Sequence, residues 1–195
     1  MQVEAVILAA GTSSRMPPWK LGLPLGPRTV VEWTVETFSR VAHRVIVVGG
    51  HRFEDLRRLL APYAVDLVYN ERYPEGMFSS VKAGLHQVNP DADWVFIHPA
   101  DHPLVRPRTL QLLLESRGAV VVPTYRGRKG HPLLLRGSLV PAVLAWPDHE
   151  TLRTFVRSSP LTLVETGDPA VVLDLDHPED YERLKQLAEE RLEGL

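Results

Sequence analysis

Cysteine is absent from this 195-residue sequence. Its absence excludes disulfides, thiolate zinc sites and a cysteine nucleophile, although it does not identify the compartment. Long hydrophobic runs are also missing, since no stretch approaches the roughly 18 apolar residues that a membrane helix needs. The segment Met1–Glu4 has no basic region, and the apolar run Ala5–Ala10 is too short for the core of a secretory signal. We therefore expect a cytoplasmic protein with no membrane partner.

An excess of one charge is missing as well. The formal net charge is −2, with 24% charged and 44% hydrophobic residues, which is ordinary for a globular protein. The chain thus has no general attraction for nucleic acid or for an anionic membrane, and any anion must be held locally. The sequence contains no internal repeat or long charge run, and its 17 prolines are scattered. The length fits one domain spanning residues 1–195, since single domains hold roughly 100–200 residues.

Short apolar runs alternate with segments of helical periodicity. The predicted strands are Val3–Ala10, Arg44–Val48, Asp66–Tyr69, Trp94–Ile97, Ala119–Pro123, Leu133–Leu135 and Val171–Leu175. The predicted helices are Thr29–Arg40, Phe53–Leu60, Phe78–Val88, Pro107–Arg117 and Pro178–Glu190. This alternation predicts an α/β fold with a mainly parallel sheet and helices on both faces. Ligands of such sheets bind beyond the C-terminal ends of the strands. That rule singles out the loop after Ala10, the turn after Ile97 and the segment around Asp174.

The loop that follows the first strand has the composition of an anion-binding segment. It reads LAAGTSSRMPPWK over Leu8–Lys20. Gly11 and the small side chains after it allow backbone N–H groups to approach an anion closely. Arg15 can donate to two phosphate oxygens at once, while Lys20 supplies a compact charge. The loop is neither a GxxxxGK[ST] nor a GxGxxG motif. The alternative is a tight strand-to-helix turn whose Ser and Thr side chains cap a helix.

The full string resembles the motif LAAGxSxRMGxxK of the MobA-like nucleotidyltransferase family, in its molybdenum cofactor cytidylyltransferase branch. The resemblance implies a Rossmann-like sheet of the GT-A type and nucleotide binding by the loop residues Leu8, Ala9, Ala10, Gly11, Ser13, Arg15 and Lys20. It also implies Mg²⁺ as cofactor, and a molybdoenzyme or its chaperone as protein partner. Pro17 departs from the family's usual glycine. Proline fixes φ and removes an N–H group, so an amide contact to the triphosphate is in doubt there.

A second match follows the third predicted strand. The segment EGMFSSVKAGL at Glu75–Leu85 resembles the family's EGMxSSVxAGL stretch, and Gly50–Arg52 resembles its GHR segment. By this resemblance Ser80 is the first candidate for reading the cytosine base and Ser79 the second. The alternative is that both serines simply open a helix as N-cap residues.

The turn after the fourth strand carries the strongest candidate for a metal ligand. The segment HPADHPL at His98–Leu104 resembles the family's DxPLV turn, whose aspartate holds magnesium. Asp101 suits a hard, oxygen-seeking cation that is already bound to phosphates. Two alternatives remain open. His98, Asp101 and His102 could form the zinc site of a metal-dependent hydrolase, or the two histidines could merely pack the turn.

Two further aspartates resemble the family's DxDTPED segment. If the chain is extended there, Asp174 and Asp176 lie on one side, roughly 6.6 Å apart. By the resemblance we expect Asp174 to be the second metal ligand beside Asp101, with Asp176 shared between the metal and the helix cap. The alternative is a capping box, because Glu179 follows Asp176 by three residues at the start of a predicted helix. His177 replaces the family's threonine, which leaves the local geometry open.

The segment GRKGHP at Gly127–Pro132 resembles the family's RGHP segment. The resemblance places Arg128, Gly130 and His131 on the acceptor side, in contact with an anionic second substrate. The alternative is a solvated basic hairpin tip.

The implied reaction transfers CMP from CTP to molybdopterin and releases pyrophosphate. A terminal phosphate is already an ionised nucleophile, so no general base is needed, and catalysis consists of positioning and charge stabilisation by Arg15, Lys20 and Asp101. Ala10 favours CTP, because the guanylyltransferase branch typically has glycine there. GTP, or a different small phosphorylated acceptor, remains an alternative. So does a nucleotide-binding module without catalysis.

Overall fold

The computed structural model of the protein describes residues 1–12 and 19–193. Their strands are β1 (Val3–Ala9), β2 (Pro24–Leu25), β3 (Arg28–Thr29), β4 (Arg44–Gly49), β5 (Asp66–Tyr69), β6 (Trp94–Pro99), β7 (Val120–Tyr125), β8 (Arg128–Lys129), β9 (Leu133–Arg136) and β10 (Leu161–Glu165). Their α-helices are α1 (Val30–Ser39), α2 (Phe53–Leu60), α3 (Met77–Leu85), α4 (Pro107–Leu114), α5 (Val140–Ala145), α6 (Leu152–Ser158) and α7 (Pro178–Glu193). Short 3₁₀ turns occur at Lys20–Gly22, Tyr73–Glu75, Gly137–Leu139 and Pro169–Val172.

An eight-stranded sheet runs through the protein in the order β10-β7-β9-β6-β1-β4-β5, with β8 paired to β7. Strand β1 lies between β4 and β6 and is parallel to both. All seven of its residues are buried, which explains why the strand reads as a nearly continuous apolar run. Strand β9 is antiparallel to β6 and to β7. The expected mainly parallel sheet is confirmed, with this reversal as an addition.

Helices cover both faces of the sheet. Successive side chains of β1 point to opposite sides, so alternate residues belong to two different cores. Ile7 belongs to the core formed with α1, α2, α4 and α7. Val6 belongs to the core formed with α3, α5 and α6. Helix α3 approaches the sheet so closely that a Cβ on Gly84 would lie 2.3 Å from Val6 Cγ1. This contact, with Val48 Cγ2 at 2.9 Å from the same added Cβ, packs the end of α3 directly on β1 and β4.

The predicted strand Val171–Leu175 is wrong. The chain forms a 3₁₀ turn at Pro169–Val172 and then continues without strand pairing. Pro169 has no N–H to give to a sheet ladder, and the Asp168 carboxylate accepts a hydrogen bond from the Ala170 N–H, which closes the turn. The last strand is instead β10, which pairs in parallel with β7.

Two short helices, α5 and α6, were not predicted, because each is barely two turns long and carries little periodicity. Helix α1 begins as expected beside Thr29, whose backbone N–H donates to the Glu32 carboxylate at 2.7 Å. Across the described part of the chain, no helix has the length and apolar character needed to cross a membrane.

Candidate active site

A cavity of about 530 Å³ opens at the C-terminal ends of β1 and β6. This is the edge at which parallel α/β sheets bind ligands. Its walls are formed by Leu8, Ala9, Ala10, Gly11, Thr12, Lys20, Leu21, Tyr73, Pro74, Gly76, Met77, Ser80, Pro99, Asp101, His102, His131, Asp174 and Asp176. The cavity therefore gathers residues from the loop after β1, from α3, from the turn after β6, from the Asp174–Asp176 segment and from the segment around His131.

The predicted anion-binding loop forms one wall of the cavity. Leu8, Ala9, Ala10 and Gly11 all line it. The carbonyl of Ala10 accepts a hydrogen bond from the His51 N–H at 3.4 Å. The Gly50–Arg52 segment therefore holds the backbone at the start of the loop. Ser13, Arg15 and Pro17, which the sequence analysis also singled out, lie outside the described residues.

Lys20 joins two carboxylates from distant parts of the chain. Its Nζ lies 2.6 Å from Asp101 Oδ2 and 3.0 Å from Asp176 Oδ1. Asp101 follows β6, while Asp176 precedes α7, and the backbone N–H of Leu175 donates to the Asp101 carbonyl at 3.0 Å. Asp174 lines the same cavity. The fold thus brings the predicted lysine and all three predicted aspartates to one place.

Electrostatic interactions keep Lys20 and Asp101 charged. Burial acts to lower the pKa of Lys20, but the charges and hydrogen bonds of Asp101 and Asp176 outweigh it, so this pKa is raised. Burial acts to raise the pKa of Asp101, but the hydrogen bond from His102 and the charge of Lys20 hold it well below its usual range. At neutral pH the site therefore contains the ammonium of Lys20 paired with the ionised carboxylate of Asp101.

His102 fixes the second oxygen of Asp101. Its Nδ1 lies 3.1 Å from Asp101 Oδ1, and because an ionised carboxylate only accepts, Nδ1 carries the proton. With Lys20 on Oδ2, both oxygens of the carboxylate have a donor. Asp101 is therefore held in one orientation in the cavity lining.

His98 does not share this position. It is fully buried, its ring centroid lies 4.7 Å from that of Phe38, and its Nε2 donates to the His102 carbonyl at 3.0 Å. Burial lowers its pKa well below the usual value. Within residues 1–12 and 19–193, no group of three or more His, Cys, Asp or Glu side chains is arranged to hold a metal ion by itself. This geometry does not favour the hydrolase alternative, and it makes His98 a packing residue of the turn.

Asp176 does not form the capping box considered from the sequence. The carboxylate of Asp180 accepts from the backbone N–H groups of Asp176 and His177, at 3.2 and 2.8 Å. The Asp176 carboxylate is directed to Lys20 instead. The start of α7 is therefore stabilised from within the helix, and Asp176 takes part in the site.

The two serines of α3 are not N-cap residues, since the helix begins at Met77 and Gly76 precedes it. Ser80 is buried and lines the cavity, whereas Ser79 lies beside it and outside the cavity wall. Both hydroxyls accept hydrogen bonds from the side-chain amide of Asn70, a residue that the sequence did not single out. Its only sequence signal is its position directly after β5, at the same edge of the sheet.

The predicted acceptor residues are separated by the fold. His131 lines the cavity, and its ring centroid lies 4.7 Å from that of His102. Burial lowers the pKa of His131 to about 4, so it is neutral at pH 7. Arg128 is exposed on β8. Gly130 packs against the backbone of Val171, whose carbonyl would lie 2.1 Å from an added Cβ.

Solved structures share this fold. A nucleotidyl transferase from Methanothermobacter has a TM-score of 0.85 and 26% identity over 97% of this chain and 99% of that one. A Mycobacterium tuberculosis protein solved in complex with manganese has a TM-score of 0.80 and 25% identity over 95% and 99% of the two chains. The protein is a nucleotidyltransferase.

The family is also defined by sequence. Residues 5–190 match the MobA-like NTP transferase domain, and the chain belongs to this family. The molybdenum cofactor cytidylyltransferase of Escherichia coli is 26% identical over 186 residues, which cover 94% of this chain and 96% of that protein.

Proposed function

We propose that this protein transfers CMP from CTP to the terminal phosphate of molybdopterin and releases pyrophosphate. One observation carries the proposal: Lys20 binds Asp101 and Asp176 in a cavity that is also lined by Ala10, Gly11 and Ser80. Such a cavity offers positive charge and metal ligands to a triphosphate, and a polar contact to its base. The similarity to the Escherichia coli cytidylyltransferase supports the choice of donor and acceptor.

The donor side is built for an anion at the end of a parallel strand. Gly11 lines the cavity, and an added Cβ there would meet no atom within 4 Å. We assign its backbone N–H to a phosphate oxygen of the donor. Lys20 supplies charge from below, and we assign Arg15 and Ser13 to the same triphosphate. Ala10 lines the cavity, and its methyl group would leave less room beneath a base than glycine does, which favours a pyrimidine.

Mg²⁺ fits the donor set of this site. Asp101 and Asp176 present carboxylate oxygens, which hard divalent cations prefer, and both already surround a positive charge. Asp174 lies in the same wall as a third candidate ligand. When bound, Mg²⁺ would neutralise charge on the triphosphate and on the departing pyrophosphate. The manganese complex of the mycobacterial relative supports a divalent cation in this fold.

The chemistry requires positioning more than proton transfer. An oxygen of the acceptor phosphate attacks the α-phosphorus of CTP in line, and the bond from that phosphorus to the pyrophosphate oxygen breaks. His102 keeps Asp101 oriented throughout. Lys20 moves from the carboxylates to the phosphate oxygens, where negative charge develops. His131 lines the cavity beside His102 and is neutral, so it would not act as an acid towards an anionic acceptor. Arg128 would contact that acceptor from the edge of the cavity.

Pyrophosphate release with molybdopterin, Mg²⁺ and each of the four NTPs tests the proposal. We expect release with CTP preferred, and a loss of about a thousandfold in Asp101→Ala and in Lys20→Ala, since both remove charge stabilisation of the transition state. Lys185→Ala, on the exposed side of α7, is the matched control and should retain activity. GTP used as well as CTP would contradict the donor assignment, and no release with any NTP would contradict the transfer itself.

A further inference from the structure

Asn70 occupies a junction between the sheet and the cavity. It follows β5 directly and is 6% exposed. Its backbone N–H donates to the carbonyl of Gly49 at 2.9 Å, and its carbonyl accepts from the Tyr73 N–H at 3.2 Å. The side chain is therefore held by an anchored backbone, and it points towards the first turns of α3.

The orientation of the Asn70 amide follows from one neighbour. The backbone N–H of Arg72 lies 3.0 Å from Asn70 Oδ1. A backbone N–H can only donate, so the atom facing it must be the amide oxygen. The amide nitrogen is then fixed on the other side, where both of its hydrogens face α3.

Those two hydrogens are given to the two serines. Asn70 Nδ2 lies 2.9 Å from Ser79 Oγ and 3.0 Å from Ser80 Oγ. Ser79 donates its own hydrogen to the polypeptide backbone, since its Oγ lies 2.8 Å from the carbonyl oxygens of Arg72 and Gly76. The direction of the chain of hydrogen bonds is thus set from Arg72 onwards.

Ser80 ends this chain at the cavity. Its oxygen accepts from Asn70, and its own hydrogen remains to be donated. Among the described residues the Ser80 hydroxyl has no second hydrogen-bond partner, and the side chain lines the cavity. A serine hydroxyl can ordinarily act as donor or acceptor. Here Asn70 occupies one lone pair and cannot take the Ser80 hydrogen, which is therefore left for the cavity.

We propose that Asn70 is a positioning residue that, by donating to Ser80, keeps the Ser80 hydrogen directed into the cavity, so that the site favours a base with an acceptor atom at that point. The inference deepens the proposed function and rests on it for the choice of donor nucleotide. Cytosine presents its N3 and O2 as acceptors, whereas the N3 of uracil carries a hydrogen. Cytosine N3 accepts the Ser80 hydrogen, whereas with uracil the hydroxyl can only accept and its hydrogen is left without a partner. The site therefore favours CTP over UTP, two bases of nearly equal size.

Asn70→Asp tests the direction of these hydrogen bonds with almost no change in the shape of the side chain. A carboxylate still accepts from the Arg72 N–H, but it offers the serines only acceptor oxygens. Ser80 must then turn its hydrogen towards residue 70 and present lone pairs to the cavity. We expect the affinity for CTP, measured by calorimetry without acceptor, to fall about tenfold, while that for UTP is kept or improved.

Asn89→Asp is a matched control, because Asn89 is the other asparagine of the chain. Its Oδ1 likewise accepts from a backbone N–H two residues on, that of Asp91, in an exposed turn. This variant should bind both nucleotides as the unaltered protein does. Equal losses for CTP and UTP in Asn70→Asp would overturn the proposal, since a purely structural role weakens both.

Ser80→Ala provides a second test that does not depend on the folding of Asn70→Asp. It should lose most of the preference for CTP over UTP, and in this background Asn70→Asp should not change the ratio further. An unchanged ratio in Ser80→Ala overturns the proposal.

Binding of all four NTPs separates this proposal from the proposed function. If the unaltered protein prefers GTP, the donor assignment fails. Asn70→Asp must then still change the order of the four affinities, and a uniform loss would overturn the positioning role.

Discussion

The ammonium of Lys20 lies 2.6 Å from Asp101 Oδ2, and both side chains are largely buried. The same ammonium reaches Asp176 at 3.0 Å. Two groups to which we assign opposite tasks, one on the triphosphate and one on the metal, are thus paired directly. The pair keeps both groups ionised, and it places a positive charge where a divalent cation would bind.

This pairing predicts competition between Lys20 and the metal. Lys20→Met removes the charge that lies between the carboxylates, so the nucleotide-free protein should bind Mn²⁺ about tenfold more tightly, or better, as judged from the strength of charge interactions at such distances. Free Mn²⁺ measured by electron paramagnetic resonance checks this. Lys185→Met should leave the affinity unchanged. An unaltered or weaker affinity in Lys20→Met would show that the metal does not bind between these carboxylates.

His102 is predicted to act through Asp101. His102→Phe keeps a ring in the turn but loses the Nδ1 donor that holds Asp101 Oδ1. We expect kcat to fall roughly 10- to 100-fold, as is typical when the partner of a metal ligand is removed, with a smaller change in KM for CTP. Steady-state kinetics measure both. The exposed His149 provides the control variant His149→Phe, and an unchanged kcat in His102→Phe would refute the role.

Acid should destabilise the protein in part through His131. Burial, aided by His102, lowers its pKa from 6.5 to about 4. Between these values the unfolded chain binds more protons than the folded protein, so the free energy of unfolding decreases as the pH falls through this window. Urea denaturation with EDTA measures the free energy of unfolding at pH 7 and pH 4.5. Its decrease between these pH values should be smaller in His131→Gln than in the unaltered protein, by roughly 2–3 kcal/mol. Equal losses in both proteins would contradict this assignment.

Gly84 is predicted to be required by the packing of α3 on the sheet. A Cβ there would lie 2.3 Å from Val6 Cγ1 and 2.9 Å from Val48 Cγ2. Gly84→Ala should lower the free energy of unfolding by roughly 1–2 kcal/mol, because the strain of overpacking exceeds the gain in helix propensity. In the double variant with Val6→Ala, the total loss in urea denaturation should be smaller than the sum of the two single losses. Simple additivity would contradict the close contact.

The central part of the fold could be predicted because its pattern is local. Strand β1 is apolar throughout, and the helices beside it carry helical periodicity, so their type and order follow from neighbouring residues. Strand β10 escaped prediction because half of it faces solvent: Leu163 is 50% exposed. Strand β9 could be recognised, but its reversed direction depends on pairing with β6 and β7, which no local pattern contains.

The placement of candidate residues in one cavity was predictable where they belong to a motif at a strand end, as with Lys20 and Asp101. It was not predictable where one side chain controls another across the fold. Lys20 and Asp176 are separated by 156 positions in sequence, and their contact follows only from the folded chain. Asn70 could not be assigned a role, because its hydrogen bonds to Ser79 and Ser80 depend on how α3 packs beside the end of β5.

Transfer of the α-phosphate label of CTP tests the central claim most directly. With α-³²P-labelled CTP, molybdopterin and Mg²⁺, we predict that the label appears in the acceptor and that one pyrophosphate is released for each label transferred. The same reaction in Asp101→Ala should transfer almost none. Label recovered as free CMP, or pyrophosphate released without labelled acceptor, would contradict the account.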